Sequence, residues 1–175
     1  RRPDRADAPE PGSRGAAMTT YLVLKWLHIL GAVVLLGTGT GIAFFMLAAH
    51  RSGNAAHVAL TAATVARAAV VFTATAVLAQ PITGALLIAH VGYDWRSPWI
   101  LGSLGLYVLV GAFWLPVVWM QIGLRDLAAT AAAAGAPLPD PYRRLFRLWF
   151  LFGIPGFGGT VAILWLMVAK PAVWP

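Results

Sequence analysis

The side chains best suited to chemistry are a few ionisable residues within or beside long apolar stretches. Lys25 and His28 are three residues apart, so a helix would place them on one face, and His90 ends the second apolar stretch. Ionisable groups inside an apolar segment are costly, which marks them as candidate functional residues. An imidazole can ligate haem iron, and a lysine can pair with a haem propionate. The pattern predicts a cofactor site of His28, Lys25 and His90, with His28 as the metal ligand and b-type haem as the candidate cofactor.

A purely structural role for the same histidines stays open, because a buried imidazole can also serve only as a hydrogen-bonding group. His50 and His57 suggest a second metal site, although no carboxylate accompanies them in that part of the chain. The chain has no cysteine, which excludes disulfides, thiolate ligands and covalent attachment of c-type haem. The sequence has neither a Walker loop nor a pair of carboxylates, so hydrolase and nucleotide-driven functions lack support.

Transmembrane helices are the elements that must position these residues. Of the 175 residues 59% are hydrophobic and 11% are charged, whereas a soluble domain has about 25% charged residues. Four apolar segments, at about residues 20–49, 63–89, 98–122 and 145–169, each supply the ~20 residues that a helix needs to cross a bilayer. The sequence predicts an all-α, membrane-embedded bundle of four transmembrane helices in residues 18–175. Residues 1–17 are polar and are expected to form a disordered leader, with Met18 as a candidate natural start.

The basic residues predict an orientation in the membrane. The net charge of +7 would suit nucleic acid in a soluble protein, but no nucleic-acid-binding motif is present and we expect no such partner. Lys25, Arg96 and Lys170 fall on one side of the predicted bundle. The other side carries six arginines: Arg51, Arg67, Arg125, Arg143, Arg144 and Arg147. The positive-inside rule therefore predicts a multi-pass protein of the bacterial inner membrane with both termini in the periplasm.

Small residues, prolines and tryptophans predict how the helices pack. Gly37 and Gly41 form a GxxxG step that is expected to contact another helix of the same chain, with self-association as the alternative. Pro81 and Pro155 interrupt two spans, and Gln80 is expected to help satisfy the carbonyl that Pro81 frees or to face a cavity. Tryptophans near the span ends predict an aromatic belt at the interfaces: Trp26, Trp95, Trp99, Trp119, Trp149 and Trp165.

Three sequence segments carry a family resemblance: YLVLKWLHILG (21–31), QPITG (80–84) and FRLWFLFGIPG (146–156). From Met18 nearly to its end, the chain resembles a bacterial family defined only as a domain of unknown function and described as predicted integral membrane proteins. That resemblance implies a multi-span inner-membrane protein with no established activity.

The first span is also similar to that of HemJ-type protoporphyrinogen oxidases, which are small helical haem-binding membrane proteins. Lys25, His28 and His50 occupy matching places, and the similarity implies that His28 is the haem ligand. HemJ-type chains carry a lysine one turn after a tryptophan in a later span, whereas here Ser103 follows Trp99 by one turn. This departure argues against the oxidase activity and leaves haem binding as an expectation.

Three hypotheses about function follow. The first is an integral inner-membrane protein that binds b-type haem or takes part in membrane redox chemistry. The second is a small transporter or copper-handling membrane protein in which Pro81 and Pro155 form a gate and Gln80 lines the path. The third is an accessory subunit without an active site of its own, whose partners are the lipid bilayer and other membrane proteins or a second copy of the chain.

Overall fold

The computed structural model describes residues 11–171, and the regular structure in this range is entirely helical. Helix α1 spans Pro11–Ser52 and α2 spans Ala55–Ala68. A π-helical segment, Ala69–Ala74, joins α2 without interruption to α3, Thr75–Val91. Helix α4 spans Pro98–Ala133 and α5 spans Asp140–Ala169. We call the continuous unit Ala55–Val91 the central rod; with α1, α4 and α5 it gives four helices long and apolar enough to cross a membrane in the described range. The predicted all-α four-helix fold is confirmed.

The helix ends differ from those predicted. Helix α1 begins at Pro11, inside the segment expected to be a disordered leader, while residues 1–10 lie outside the described residues. The turn between α1 and α2 is only Gly53 and Asn54, where a longer connector was expected. Gly53 takes the left-handed φ of +67° that favours glycine. The Asn54 side chain accepts a hydrogen bond from the backbone N–H of His57 (3.0 Å) and thereby caps α2.

The largest buried cluster lies at one end of the bundle, while a few further buried residues, among them Trp99 and Ile100, lie elsewhere. Helix α4 packs along α5 and α2, whereas α1 packs along α3 and less extensively on α2. The core cluster comes from the last turns of α1, from α2, from the C-terminal part of α4 and from the start of α5. Its largest fully buried side chains are Tyr142, Met46, Leu124 and Val58. We call this end, which contains the α1–α2 turn, the closed half, and the end that contains the α3–α4 turn the open half.

Large apolar side chains cover the outside of the helices. Val168 is 79% exposed and Trp119 is 77% exposed. Exposure of such large apolar side chains is unfavourable in water, whereas lipid solvates them well. The predicted aromatic belt is only partly correct. Trp99 and Trp149 are buried inside the bundle, and the other four predicted tryptophans are exposed: Trp26, Trp95, Trp119 and Trp165.

The glycines that bring helices together are not those of the GxxxG step. A Cβ added at Gly37 would meet nothing within 4 Å, and one at Gly41 would meet only Phe45 of the same helix, so the expected contact with another helix is wrong. Close approach occurs elsewhere. An added Cβ would lie 2.6 Å from Gln80 Nε2 at Gly31 and 2.9 Å from Leu145 at Gly123. These glycines therefore allow the contacts of α1 with α3 and of α4 with α5.

Candidate functional site

His28 lies at the interface of α1 and α3, where three hydrogen bonds form a network. Its Nδ1 atom is 2.8 Å from Thr83 Oγ1. Thr83 Oγ1 is also 2.8 Å from the carbonyl oxygen of Ala79, one turn earlier in α3. Gln80 Nε2 donates across the interface to the backbone carbonyl of His28 (2.9 Å). The network therefore joins both the side chain and the backbone of His28 to α3.

The Thr83 hydroxyl favours one tautomer of His28. A hydroxyl has one proton to donate, and threonine in a helix commonly gives it to the carbonyl one turn earlier. When the Thr83 hydroxyl gives its proton to the Ala79 carbonyl, its oxygen accepts from His28, and Nδ1 then carries the imidazole proton. Nε2 then keeps its lone pair, and it has no hydrogen bond within the described part of the chain. This tautomer suits a histidine that ligates a metal through Nε2.

Two glycines, which lack a Cβ, leave the space that the side chains of this network occupy. An added Cβ at Gly84 would lie 3.3 Å from His28 Cε1, so the imidazole rests on the bare backbone of α3. Gly31 provides the corresponding space on α1 for the Gln80 amide. The sequence places Gly31 three residues after His28 and Gly84 one residue after Thr83. Larger residues at these two positions would separate the helices that the hydrogen bonds join.

Pro81 frees a backbone carbonyl beside this network. Proline has no N–H, so the carbonyl of Val77, four residues earlier, loses its helical partner. The Tyr107 hydroxyl of α4 donates to that carbonyl at 2.5 Å. The prediction that Gln80 would satisfy it is therefore wrong, since the Gln80 amide donates to His28 instead. Sequence reasoning missed Tyr107, although a tyrosine in an apolar span opposite a mid-span proline was a usable signal.

The other two predicted site residues do not join His28. Lys25 is exposed, and its Nζ lies 5.4 Å from the centre of the Tyr21 ring. His90 Nε2 is 3.0 Å from the carbonyl oxygen of Ala17 at the start of α1. Ala17 and His28 are eleven residues apart on the same helix, about 16 Å along its axis. His28 and His90 are therefore too far apart to ligate one iron from opposite faces.

The cations near the end of the open half have protein partners or lie at the turn. Lys170 Nζ donates to the Tyr93 hydroxyl (2.8 Å) and lies 5.5 Å from the centre of the Trp99 ring. Arg96 lies in the α3–α4 turn, where its backbone N–H donates to the Asp94 carboxylate (2.9 Å). The Lys170 contact joins the end of α5 to the α3–α4 turn, and the Arg96 contact lies within that turn.

His50 has a packing role in the closed half. Its ring is stacked on Phe146, with centroids 3.8 Å apart and planes 7° apart, and its Nδ1 is 3.4 Å from the Tyr142 hydroxyl. His57 lies in the first turn of α2. Across residues 11–171, the structure brings together no group of three or more His, Cys, Asp or Glu residues that could hold a metal ion.

Four apolar helices, a lipid-facing apolar surface and a small interhelical polar network define the protein as an integral membrane protein of the helical-bundle class. A family model described as "Predicted integral membrane protein (DUF2269)" matches residues 22–171, and the chain belongs to this family. No curated protein and no solved structure matches the chain. The resemblance of the first span to HemJ-type oxidases therefore stays a prediction.

Proposed function

We propose that the protein binds b-type haem through Nε2 of His28. The observation that supports this proposal is the hydrogen bond between His28 Nδ1 and Thr83 Oγ1, which fixes the ring and leaves Nε2 free. Metal-ligating histidines usually donate their other N–H to an oxygen that orients the ring. Thr83 and the glycine floor at Gly84 would thus hold His28 ready for an axial ligand role. Bound haem would supply one-electron redox chemistry or binding of a small ligand.

The partial exposure of interhelical residues in the open half is consistent with a large apolar cofactor. Gln80, Thr83 and Gly84 are only partly buried although they face another helix. The fully buried cluster is confined to the closed half, so a flat macrocycle would not have to displace it. Lys25 lies one turn nearer the start of α1 than His28, and its flexible amine would pair there with a propionate. His90 is not included as a ligand because its imidazole is bonded to the Ala17 carbonyl.

We further propose that the closed half faces the bacterial cytoplasm and that both termini lie in the periplasm. The last turn of α1 carries Arg51, and the start of α5 carries Arg143, Arg144 and Arg147. Such clusters remain on the cytoplasmic side during insertion. An impermeant thiol reagent applied to intact spheroplasts should label Ser97→Cys in the α3–α4 turn and spare Ser52→Cys at the end of α1. Labelling of Ser52→Cys alone would refute the proposed orientation and place the closed half on the periplasmic side.

The haem proposal is tested by visible absorption of protein purified in detergent from cells supplied with haem precursors. We expect a Soret band that His28→Ala abolishes and that the matched control His57→Ala retains, because His57 lies in the other half of the bundle. Thr83→Val should keep the band but weaken haem retention during washing, by about tenfold or more as for other residues that orient a metal ligand.

Two results would end the haem proposal. One is a wild-type protein that shows no Soret band when haem is supplied, and the other is a band that His28→Ala leaves unchanged. The network of His28, Thr83 and Gln80 would then serve only to hold α1 and α3 together, as such hydrogen bonds do between membrane helices.

A further inference from the structure

Thr73 differs from most threonines of this protein in how its hydroxyl is satisfied. Threonine in a helix usually donates to the carbonyl four residues earlier. Eight threonines make this bond here: Thr19, Thr20, Thr40, Thr64, Thr75, Thr83, Thr130 and Thr160. Thr73 is 6% exposed, and its Oγ1 has no hydrogen-bond partner in the described part of the chain. A buried hydroxyl without a protein partner needs another polar group, which in a membrane bundle is water or a solute.

The exception lies in the π-helical segment. Thr73 lies within Ala69–Ala74, where the backbone bonds run from residue i to i+5 in place of i+4. Such π turns occur frequently at functional sites.

Thr73 belongs to a row of polar residues along the central rod. Thr73, Gln80, Thr83 and His90 succeed one another at intervals of seven, three and seven residues, which keeps them on one side of a helix. Three of them bond to α1: Gln80 to the His28 carbonyl, Thr83 to the His28 ring and His90 to the Ala17 carbonyl. These three residues therefore face α1, and Thr73 continues their side of the rod; we call the four residues the polar seam.

The polar seam extends from the membrane surface to the middle of the membrane. His90 is exposed at the end of the open half, and Gln80 and Thr83 are only partly buried. Thr73 is the central residue of the 37-residue rod Ala55–Val91. It lies about 10 Å along the axis from Gln80, and Thr83 lies about 10 Å from His90. Polar groups thus recur at intervals that one to three water molecules can bridge.

We infer that the polar seam is a water-accessible cleft between α1 and the central rod, open at the His90 end and ending at Thr73. The cleft admits water and small hydrophilic solutes to the His28 layer and to the middle of the membrane. Gln80 is its narrowest point, because its amide crosses to α1 and lies against Gly31. The cleft does not depend on haem binding, since Thr73, Gln80 and their contacts are present without it.

Single cysteines test the cleft, and the chain offers a clean background because it contains none. Thr73→Cys and, on the same side of the rod, Ala76→Cys are compared with Thr75→Cys, which lies on the exposed, lipid-facing side of the same helix. The protein is reconstituted in phosphatidylcholine vesicles and treated with a small, positively charged methanethiosulfonate. This reagent attacks the thiolate, which forms in water and not in lipid.

We expect Thr73→Cys to react about tenfold or more faster than Thr75→Cys, because only a hydrated thiol ionises readily. Gln80→Ala added to Thr73→Cys should increase the rate severalfold by removing the amide at the narrowest point. Reagent confined to one side should modify Thr73→Cys from the side on which Ser97→Cys reacts. The cleft is refuted if Thr73→Cys and Ala76→Cys react no faster than Thr75→Cys. It is equally refuted if they react only from the side of Ser52→Cys.

Discussion

The bond from Tyr107 to the carbonyl freed by Pro81 allows a quantitative test of the packing of α3 on α4. Tyr107→Phe removes only the hydroxyl and leaves the Val77 carbonyl without a donor. An unsatisfied buried carbonyl costs about 1–3 kcal/mol, although hydrogen bonds between membrane helices average nearer ~0.6 kcal/mol with a maximum of ~1.7 kcal/mol. Because Pro81 has no N–H to give this carbonyl, we expect a loss of about 1–2 kcal/mol, a factor of roughly 5–30 in the unfolding equilibrium.

Pro81→Ala provides the internal control. Alanine restores the N–H that a regular helix offers to the Val77 carbonyl. In that background Tyr107→Phe should cost no more than about 0.5 kcal/mol, so that the double-mutant cycle gives a coupling of about 1 kcal/mol between the two positions. The coupling is the specific prediction, since any lost contact of Tyr107 could lower stability by itself.

The assay is reversible unfolding in mixed micelles of a mild detergent and sodium dodecyl sulfate, followed by circular dichroism at 222 nm. All four proteins of the cycle are measured at the same detergent ratio. An equal loss from Tyr107→Phe in both backgrounds would refute the reasoning. Tyr107 would then stabilise the bundle by its ring, and the Val77 carbonyl would have another partner.

Two further predictions use the same unfolding assay. Gly31→Ala should destabilise the protein by about 1–3 kcal/mol, because the new Cβ would lie 2.6 Å from Gln80 Nε2 and displace its amide. The control Gly37→Ala should be neutral or stabilising by up to ~1 kcal/mol, since nothing lies within 4 Å and alanine favours a helix; an equal loss from both would show that Gly37 is covered by another chain. Asn54→Ala should cost about 1 kcal/mol by removing the cap on the His57 N–H, and Asn54→Ser should recover most of it. Equal stabilities of the two Asn54 variants would contradict a capping role.

The number and positions of the spans could be predicted from the sequence because lipid selects for uninterrupted apolar residues. The helix ends could not, since a helix continues through polar residues once its backbone bonds are satisfied. Helix α5 thus begins at Asp140, ahead of Arg143 and Arg144, and α1 continues to Ser52. Pro116, inside the apolar segment of α4, was not predicted to interrupt that span.

The site was predicted less completely than the fold. His28 stood out because a histidine within an apolar span is unusual, and the structure places it in a polar network. Lys25 was grouped with it by a spacing of three residues and His90 by its side of the membrane, and neither criterion gives the contacts that a side chain makes. Tyr107 and Thr83 form bonds to helices distant in sequence, so no local pattern could reveal their partners.

The position of the buried cluster has a mechanical consequence for the membrane around the protein. Because the buried cluster is near the α1–α2 turn, α1 and the central rod are held most firmly there and can tilt apart more readily toward the open half, whereas α5 is bonded to the α3–α4 turn through Lys170. A thicker or thinner bilayer would then be accommodated mainly by tilt in the open half. Amide hydrogen exchange should accordingly be slowest around Met46 and Leu124 and grow faster along each helix toward the α3–α4 turn, so that stiffness is graded across the bilayer.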